Sequence, residues 1–356
     1  MRMRRPGLSL SMLLSLALLP FGWPHHLLLG VADPPGDAHR LARQAHVDAR
    51  YQYLSGGVNT GHGWATWNPD GTFASMYVRE SIAAHIIPVL TYYQLLQSQP
   101  AVGSTEMQKD LSNLSDPATM RAYWNDYRLL LRRVGNAAGR HVAIIHIEPD
   151  LWGYLEQAHA AGLARSFARK LIALRDQLAP HVLLAWHLSV WGTGEDPTYT
   201  KPSLAHMDAL AAKSAAFYAS LGTRFDLVFN DVTDRDAGFY QHVEGNPNTW
   251  WGPGDFRRLD AYLAGFTRRT RTHVVLWQLP LGNTMLNNTW GHYRDNRLQW
   301  WLDDPSGPHL RAIRGAGVIG LLFGGGAAGT TSDETDGGVF YRLARRYEAH
   351  PLALGH

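Results

Sequence analysis

The residues best placed to do chemistry are Glu148 and Asp150, which flank Pro149 at the end of the run His141-Val142-Ala143-Ile144-Ile145-His146-Ile147. Acetal hydrolysis needs a carboxylic acid to protonate the leaving oxygen, and usually a second carboxylate across the ring. Neighbouring carboxyls split their pKa values, which keeps one protonated near neutral pH. The apolar run has strand length and ends in a proline, so it reads as a buried parallel strand emptying into a loop. Regular alternation carried past its end puts His146, Glu148 and Asp150 on one face. The competing reading makes both carboxyls structural, with Glu148 paired to an arginine or amide inside the sheet.

The other polar clusters also follow strand-like runs. Tyr93 closes 85–93 and Gln94 follows it, His187 and Trp191 accompany 182–190, and Asn230 and Asp231 close 226–231. Trp277, Gln278 and Asn283 accompany 273–279, and Asp336 lies beyond 317–323. Such a ring suits a polyhydroxylated ligand: carboxylates and amides bond the hydroxyls, and indole faces stack on the apolar side of a sugar. Trp152, and Trp250 beside Trp251 on a loop, are further candidate sugar platforms, whereas Trp300-Trp301 sits in a helical pattern and reads as core. Asp231 and Asp336 are the candidates for the carboxylate facing Asp150. A metal site built from His146, Glu148, Asp150, His187 and Asp231 lacks any HExxH or HxH spacing, so neither metal nor cofactor is expected. Gly324-Gly325-Gly326 is not followed by Lys-Ser/Thr, so it reads as a tight strand exit and not a phosphate loop.

Seven strand-like runs carry these groups, at 51–58, 85–93, 141–147, 182–190, 226–231, 273–279 and 317–323. Helical patterns separate them. Asp116-Pro117 caps one, followed by Met120, Trp124, Tyr127, Leu131 and Val134 at helical spacing. Leu163, Phe167, Leu171, Leu174 and Leu178 form a second stripe, and Phe256, Leu259, Leu263 and Phe266 a third. Repeated strand–helix alternation means a parallel sheet, and seven or eight units close into an α/β, TIM-like (β/α) barrel. A distorted seven-stranded barrel is the variant, and an open doubly wound sheet the alternative. The longest loops, 232–254 and 280–296, follow the fifth and sixth runs, and long loops in a compact domain usually serve function.

Arg2, Arg4 and Arg5 precede the apolar segment Leu8 to Leu19, and Gly30-Val31-Ala32 has the small residues of a cleavage site. Residues 1–32 are therefore expected to be a secretory signal peptide, leaving 33–356 as one domain. The whole chain has 33 Lys and Arg against 30 Asp and Glu, and three of those Arg fall in the leader, so the remainder is formally neutral. No basic tract interleaved with aromatics remains, so nucleic acid is not an expected partner. No later stretch is apolar enough to span a membrane. With no cysteine, an exported protein of this length must rely on its core. The expected partner is a polysaccharide or oligosaccharide, met by a secreted monomer. A non-catalytic carbohydrate-binding protein on the same barrel is the alternative.

Ile147-Glu148-Pro149-Asp150 resembles the strand end of the family-six glycoside hydrolases, secreted cellulases with a distorted seven-stranded barrel. The resemblance implies that Asp150 is the general acid and that the anomeric configuration inverts. Glu334-Thr335-Asp336-Gly337 is similar to that family's segment near the last strand, where an Asp has been proposed as base. Trp186-His187 with Trp191-Gly192, and Asn230-Asp231-Val232, resemble two further segments. The family's Asp-rich stretch after the second strand is replaced here by Thr91-Tyr92-Tyr93-Gln94.

Overall fold

The computed structural model describes residues 19, 20 and 22–355. Eight parallel strands, taken in chain order, close into a barrel. They are β1 (Leu28–Ala32), β2 (Ala49–Ser55), β3 (Ile87–Tyr93), β4 (Ile144–Ile147), β5 (Leu183–His187), β6 (Leu227–Asp231), β7 (Val274–Leu279) and β8 (Val318–Phe323). Helices cover the outside, among them Thr72–Ala83, Pro117–Ala138, Ala161–Leu178, Leu204–Ser220, Pro253–Thr270 and Val339–Glu348. This is the TIM-type (β/α) barrel, with each expected strand-like run contributing one strand.

The expectation of seven strands fails by one, and the missing strand lay in the supposed leader. β1 pairs in parallel with β2 on one side and β8 on the other. Gly30 is small because a Cβ there would meet the Ala49 carbonyl oxygen at 2.7 Å and Leu322 Cδ2 at 2.4 Å. The small residues that mimic a cleavage site are thus the close packing of a barrel strand, and a short apolar run offers no periodicity to tell the two apart. Trp23 and Leu27 are buried too, and the Leu27 N–H donates to the Leu352 carbonyl at 2.8 Å. β1 thus belongs to the barrel, although the domain was expected to begin at residue 33. Residues 1–18, the basic and apolar part of the expected leader, lie outside the described residues. Among the described residues no helix is long and apolar enough to cross a membrane.

Directly after β1, Asp33 accepts from the fully buried Arg50 of β2 at 2.6 Å, and Glu80 from helix Thr72–Ala83 takes a second guanidinium nitrogen at 2.9 Å. Ser81 Oγ accepts from Arg50 Nε at 2.8 Å, so the charge is paired and its donors used. Burial outweighs Arg50 at Asp33 and pushes its carboxyl up to about 6.

The helices form for the reasons their sequences give. Asp116 Oδ2 accepts the Thr119 N–H at 2.7 Å ahead of Pro117, and the helix buries Tyr123, Trp124, Tyr127, Leu130, Leu131 and Val134. The barrel interior is less uniform than a filling of branched aliphatics. Tyr51, Thr91, His146, His187, Phe229 and Trp277 all stand in it or at its rim, since parallel pairing keeps partnered residues on one face.

Candidate active site

The C-terminal ends of the strands open into a cleft of about 700 Å³. Asp150, Asp231, Tyr93, His187, Trp191, Trp277 and Gln278 line it, all of them singled out by sequence.

The two carboxyls of the Glu148-Pro149-Asp150 segment part company. β4 stops at Ile147, and Glu148 takes φ 43° and ψ 72°, a left-handed conformation uncommon outside glycine. Pro149 then starts helix Pro149–Gln157, with Asp150 in its first turn. Alternation therefore does not run past Ile147. Glu148 turns away from the cleft into a fully buried position, where its carboxylate accepts the backbone N–H groups of Gln94 and Leu95 at 3.1 Å. Burial pushes its pKa up to about 8, against the pull of those N–H groups. Gln94 is scaffold as well, its amide donating to the Leu54 carbonyl at 2.6 Å. The expectation that Glu148 and Gln94 face substrate is corrected: both fasten the exit of β3.

Asp150 faces the cleft and accepts the Tyr93 hydroxyl at 2.7 Å. Burial raises its pKa, as does the nearby Asp231 charge, while the Tyr93 hydrogen bond and His187 work the other way. Behind it stands a residue that sequence reasoning missed. Asp110, on helix Glu106–Ser115, is fully buried, and neither carboxyl oxygen has a hydrogen-bond partner among the described residues. Burial first, then Glu148, Asp150 and Glu106, raise its pKa well above the ordinary value. Nothing in Lys109-Asp110-Leu111 distinguishes it from a solvated helical Asp.

Asp231, the last residue of β6, has its Oδ1 2.9 Å from His187 Nε2. His187 Nδ1 lies 3.1 Å from His146 Nε2, deep in the barrel. Trp277 forms the floor, its ring centroid 4.6 Å from His146, 5.7 Å from His187 and 5.7 Å from Tyr53. A register irregularity between Leu276 and Leu279, with Gln278 at φ 55°, breaks the alternation of β7. Trp277 and Gln278 therefore both line the cleft, although neighbours on a regular strand would face opposite ways. Gln278 Nε2 donates to the Tyr53 hydroxyl. Trp191 stands on one wall, against Tyr154 at 5.0 Å between ring centroids. Gly153 makes room for it, since a Cβ there would lie 2.5 Å from the indole. Tyr53, Glu106, Asp196 and Asp234 complete a markedly acidic lining. Arg297 also borders the cleft, but its guanidinium is held by Asp295 at 2.6 Å.

The remaining expected site residues lie elsewhere. Trp152 is fully buried among Phe167, Trp186 and Phe225, and its indole N–H donates to the Ile147 carbonyl at 2.9 Å. Asn230 alternates with Asp231 onto the outer face of β6 and donates to the Leu188 carbonyl at 2.6 Å. Asp336 accepts the N–H groups of Gly338 at 2.7 Å and Phe340 at 2.5 Å, capping helix Val339–Glu348. Asn283 supports it, donating to the Asp336 carbonyl at 2.8 Å. Trp250 does not line the cleft; its N–H donates to Gln241 at 2.7 Å, and Trp251 packs on Phe256. These residues were placed by their position after strands, but their short-range partners hold them as scaffold. Among the described residues, no three or more His, Asp or Glu side chains converge as metal ligands would.

No protein-family model matches the chain, and no curated protein matches its sequence. Solved structures do match. An exo-β-1,4-mannosidase from Opitutaceae bacterium strain TAV5 aligns over 93% of this chain at 11% identity and a TM-score of 0.60. The chain spans 61% of that enzyme's length. A glycoside hydrolase family 5 enzyme from Prevotella bryantii B14, solved with a xyloglucan tetradecasaccharide, aligns over 90% of this chain and 96% of its own, at 10% identity and a TM-score of 0.50. At such identity these likenesses show the barrel fold alone. The endoglucanase Cel6 from Mycobacterium tuberculosis also matches, covering 70% of this chain and 71% of its own at 15% identity, but with a TM-score of 0.34 it carries no argument. The closed eight-stranded barrel differs from the seven strands that the family-six resemblance implied.

Proposed function

We propose that this protein is a glycoside hydrolase acting on a polysaccharide or oligosaccharide, with Asp150 as general acid and Asp231 as its partner carboxylate. The observation that carries this reading is that Asp150 and Asp231 line one cleft at the strand C-termini, between the aromatic side chains of Tyr53, Tyr93, Trp191 and Trp277. The C-terminal mouth is where barrels of this type carry their chemistry. Burial raises the pKa of Asp150, the direction that suits an acid that must donate to a glycosidic oxygen. Tyr93 occupies Oδ2 and leaves Oδ1 to carry that proton. Asp231, hydrogen-bonded to His187, takes the proton of an attacking water or stabilises the oxocarbenium-like centre.

Inversion of configuration is the outcome we assign, on the strength of the Ile147–Asp150 resemblance. The solved neighbours named as a mannosidase and a xyloglucan complex give precedent for a glycan in this barrel. We also propose export of the protein by a leader ending upstream of β1. The test is release of reducing ends from a panel of polysaccharides by wild-type protein and Asp150→Asn. The variant keeps the side-chain shape and loses the proton. Its turnover should fall by about 10²–10⁴-fold with substrate binding retained. Near-wild-type turnover by a folded Asp150→Asn protein would refute the assignment, and proton NMR of the first product anomer decides between inversion and retention.

A further inference from the structure

From beneath the cleft floor a polar column runs up to Asp231, and its deep members take no direct part in the proposed chemistry. Pairing sets Thr91 of β3 beside His146 of β4, and His146 beside Ala185 of β5. Ala185 has no bulk, so the His146 ring reaches across to His187, two residues further along β5. Thr91 Oγ1 lies 3.4 Å from His146 Nδ1, His146 Nε2 lies 3.1 Å from His187 Nδ1, and His187 Nε2 lies 2.9 Å from Asp231 Oδ1. Phe229 and Trp277 enclose His146, each with its ring centroid 4.6 Å away. His146 is fully buried and does not line the cleft.

The donors in this column can be assigned by elimination. A carboxylate oxygen accepts, so His187 Nε2 is the donor of its 2.9 Å bond to Asp231 Oδ1. With its hydrogen on Nε2, the His187 ring offers a bare Nδ1, which accepts the hydrogen of His146 Nε2. His146 Nδ1 is left bare, facing the Thr91 hydroxyl. Burial, and next the proximity of His187, lower the His146 pKa well below 6.5, so this imidazole stays neutral. All the donated hydrogens point along the column toward Asp231.

Resting on the reading of Asp231 as the partner of Asp150, we propose that His146 is a positioning residue. Its Nε2–H fixes His187 in the Nε2–H tautomer, and His187 in turn holds the Asp231 carboxylate aimed into the cleft. The logic is that of an imidazole whose tautomer is set by the bond on its far nitrogen. Without His146, His187 is free to place its hydrogen on Nδ1 and turn a lone pair toward Asp231, which repels the carboxylate.

The experiment is nitrogen-15 NMR of the histidine rings combined with steady-state kinetics. In wild-type protein the expected spectrum shows both His146 and His187 as Nε2–H tautomers. His146→Phe should change the His187 tautomer and lower kcat by about tenfold or more, with KM within about twofold. His146→Gln, whose amide hydrogen stands near the original Nε2, should restore most of both. An Nδ1–H His187 in wild-type protein overturns the proposal. So does a folded His146→Phe protein with wild-type kcat and an unchanged His187 signal. Should His146→Phe fail to fold, the wild-type spectrum and His146→Gln decide. The spectrum needs no substrate, so a wild type that cleaves no glycan would end the hydrolase reading while leaving the tautomer assignment to stand or fall on its own.

Discussion

A chain starting at Asp33, where the small-residue pattern places the cleavage site, should not fold. It lacks β1, which lies between β2 and β8. Leu27, Leu28, Leu29 and Val31 are each at most 2% exposed. Burying an aliphatic side chain of this size is worth about 1.5–3 kcal/mol, so their loss removes on the order of 6–12 kcal/mol. Domains of this kind are stable by only about 5–15 kcal/mol. The ladder bonds of β1 are lost as well, and β2 and β8 become bare edges that invite aggregation. Arg50 and Asp33 remain, but the strand end that Asp33 terminates is gone. The assay compares residues 22–356 with residues 33–356 by circular dichroism, thermal melting and size exclusion. The longer chain should melt cooperatively as a compact species, and the shorter should aggregate or show no transition. N-terminal sequencing of exported protein should likewise begin upstream of Trp23. A 33–356 chain that melts cooperatively within a few degrees of the longer one would sink this reasoning.

Three other outcomes are expected. Burial raises Asp33 and Asp126 to about 6, Glu156, Asp236 and Asp260 to about 7, and Glu148 to about 8. A raised carboxyl binds its proton more tightly folded than unfolded, so stability is lost as pH climbs from the unfolded value through the folded one. His146, shifted down, opposes this only below its ordinary 6.5, so Tm should fall between about pH 6.5 and about pH 8.5; a flat or rising Tm contradicts the sign. Glu148→Gln should shrink that fall and leave turnover within an order of magnitude of wild type, because Glu148 holds Gln94 and Leu95 and not substrate; a collapse of kcat in a stable variant would return Glu148 to the chemistry. Polyuronates and sulfated glycans should be cleaved more slowly than neutral ones, since Glu106, Asp150, Asp196, Asp231 and Asp234 line the cleft. A polysaccharide panel run at low and high salt checks this, and a preference for polyuronates at low salt would contradict it.

The sequence by itself determined the repeating strand–helix pattern, and with it a parallel barrel whose chemistry gathers at one end. Tyr93, Asp150, His187, Trp191, Asp231, Trp277 and Gln278 were found because each lies at or just past a strand end, and that relation is local. Only the tertiary structure decided which neighbours of those residues face the cleft. Glu148 turns away because one left-handed residue ends the alternation, and that residue is held by backbone donors 54 and 53 positions away along the chain. Gln278 joins Trp277 through a strand irregularity for which a list of residue types carries no mark. Asp110 entered the surroundings of Asp150 through helix packing, and Asp336 was claimed by the helix it caps. β1 was hidden for the opposite reason: a strand buried on both faces and a leader are both short apolar runs with small residues, and only pairing with β2 and β8 separates them.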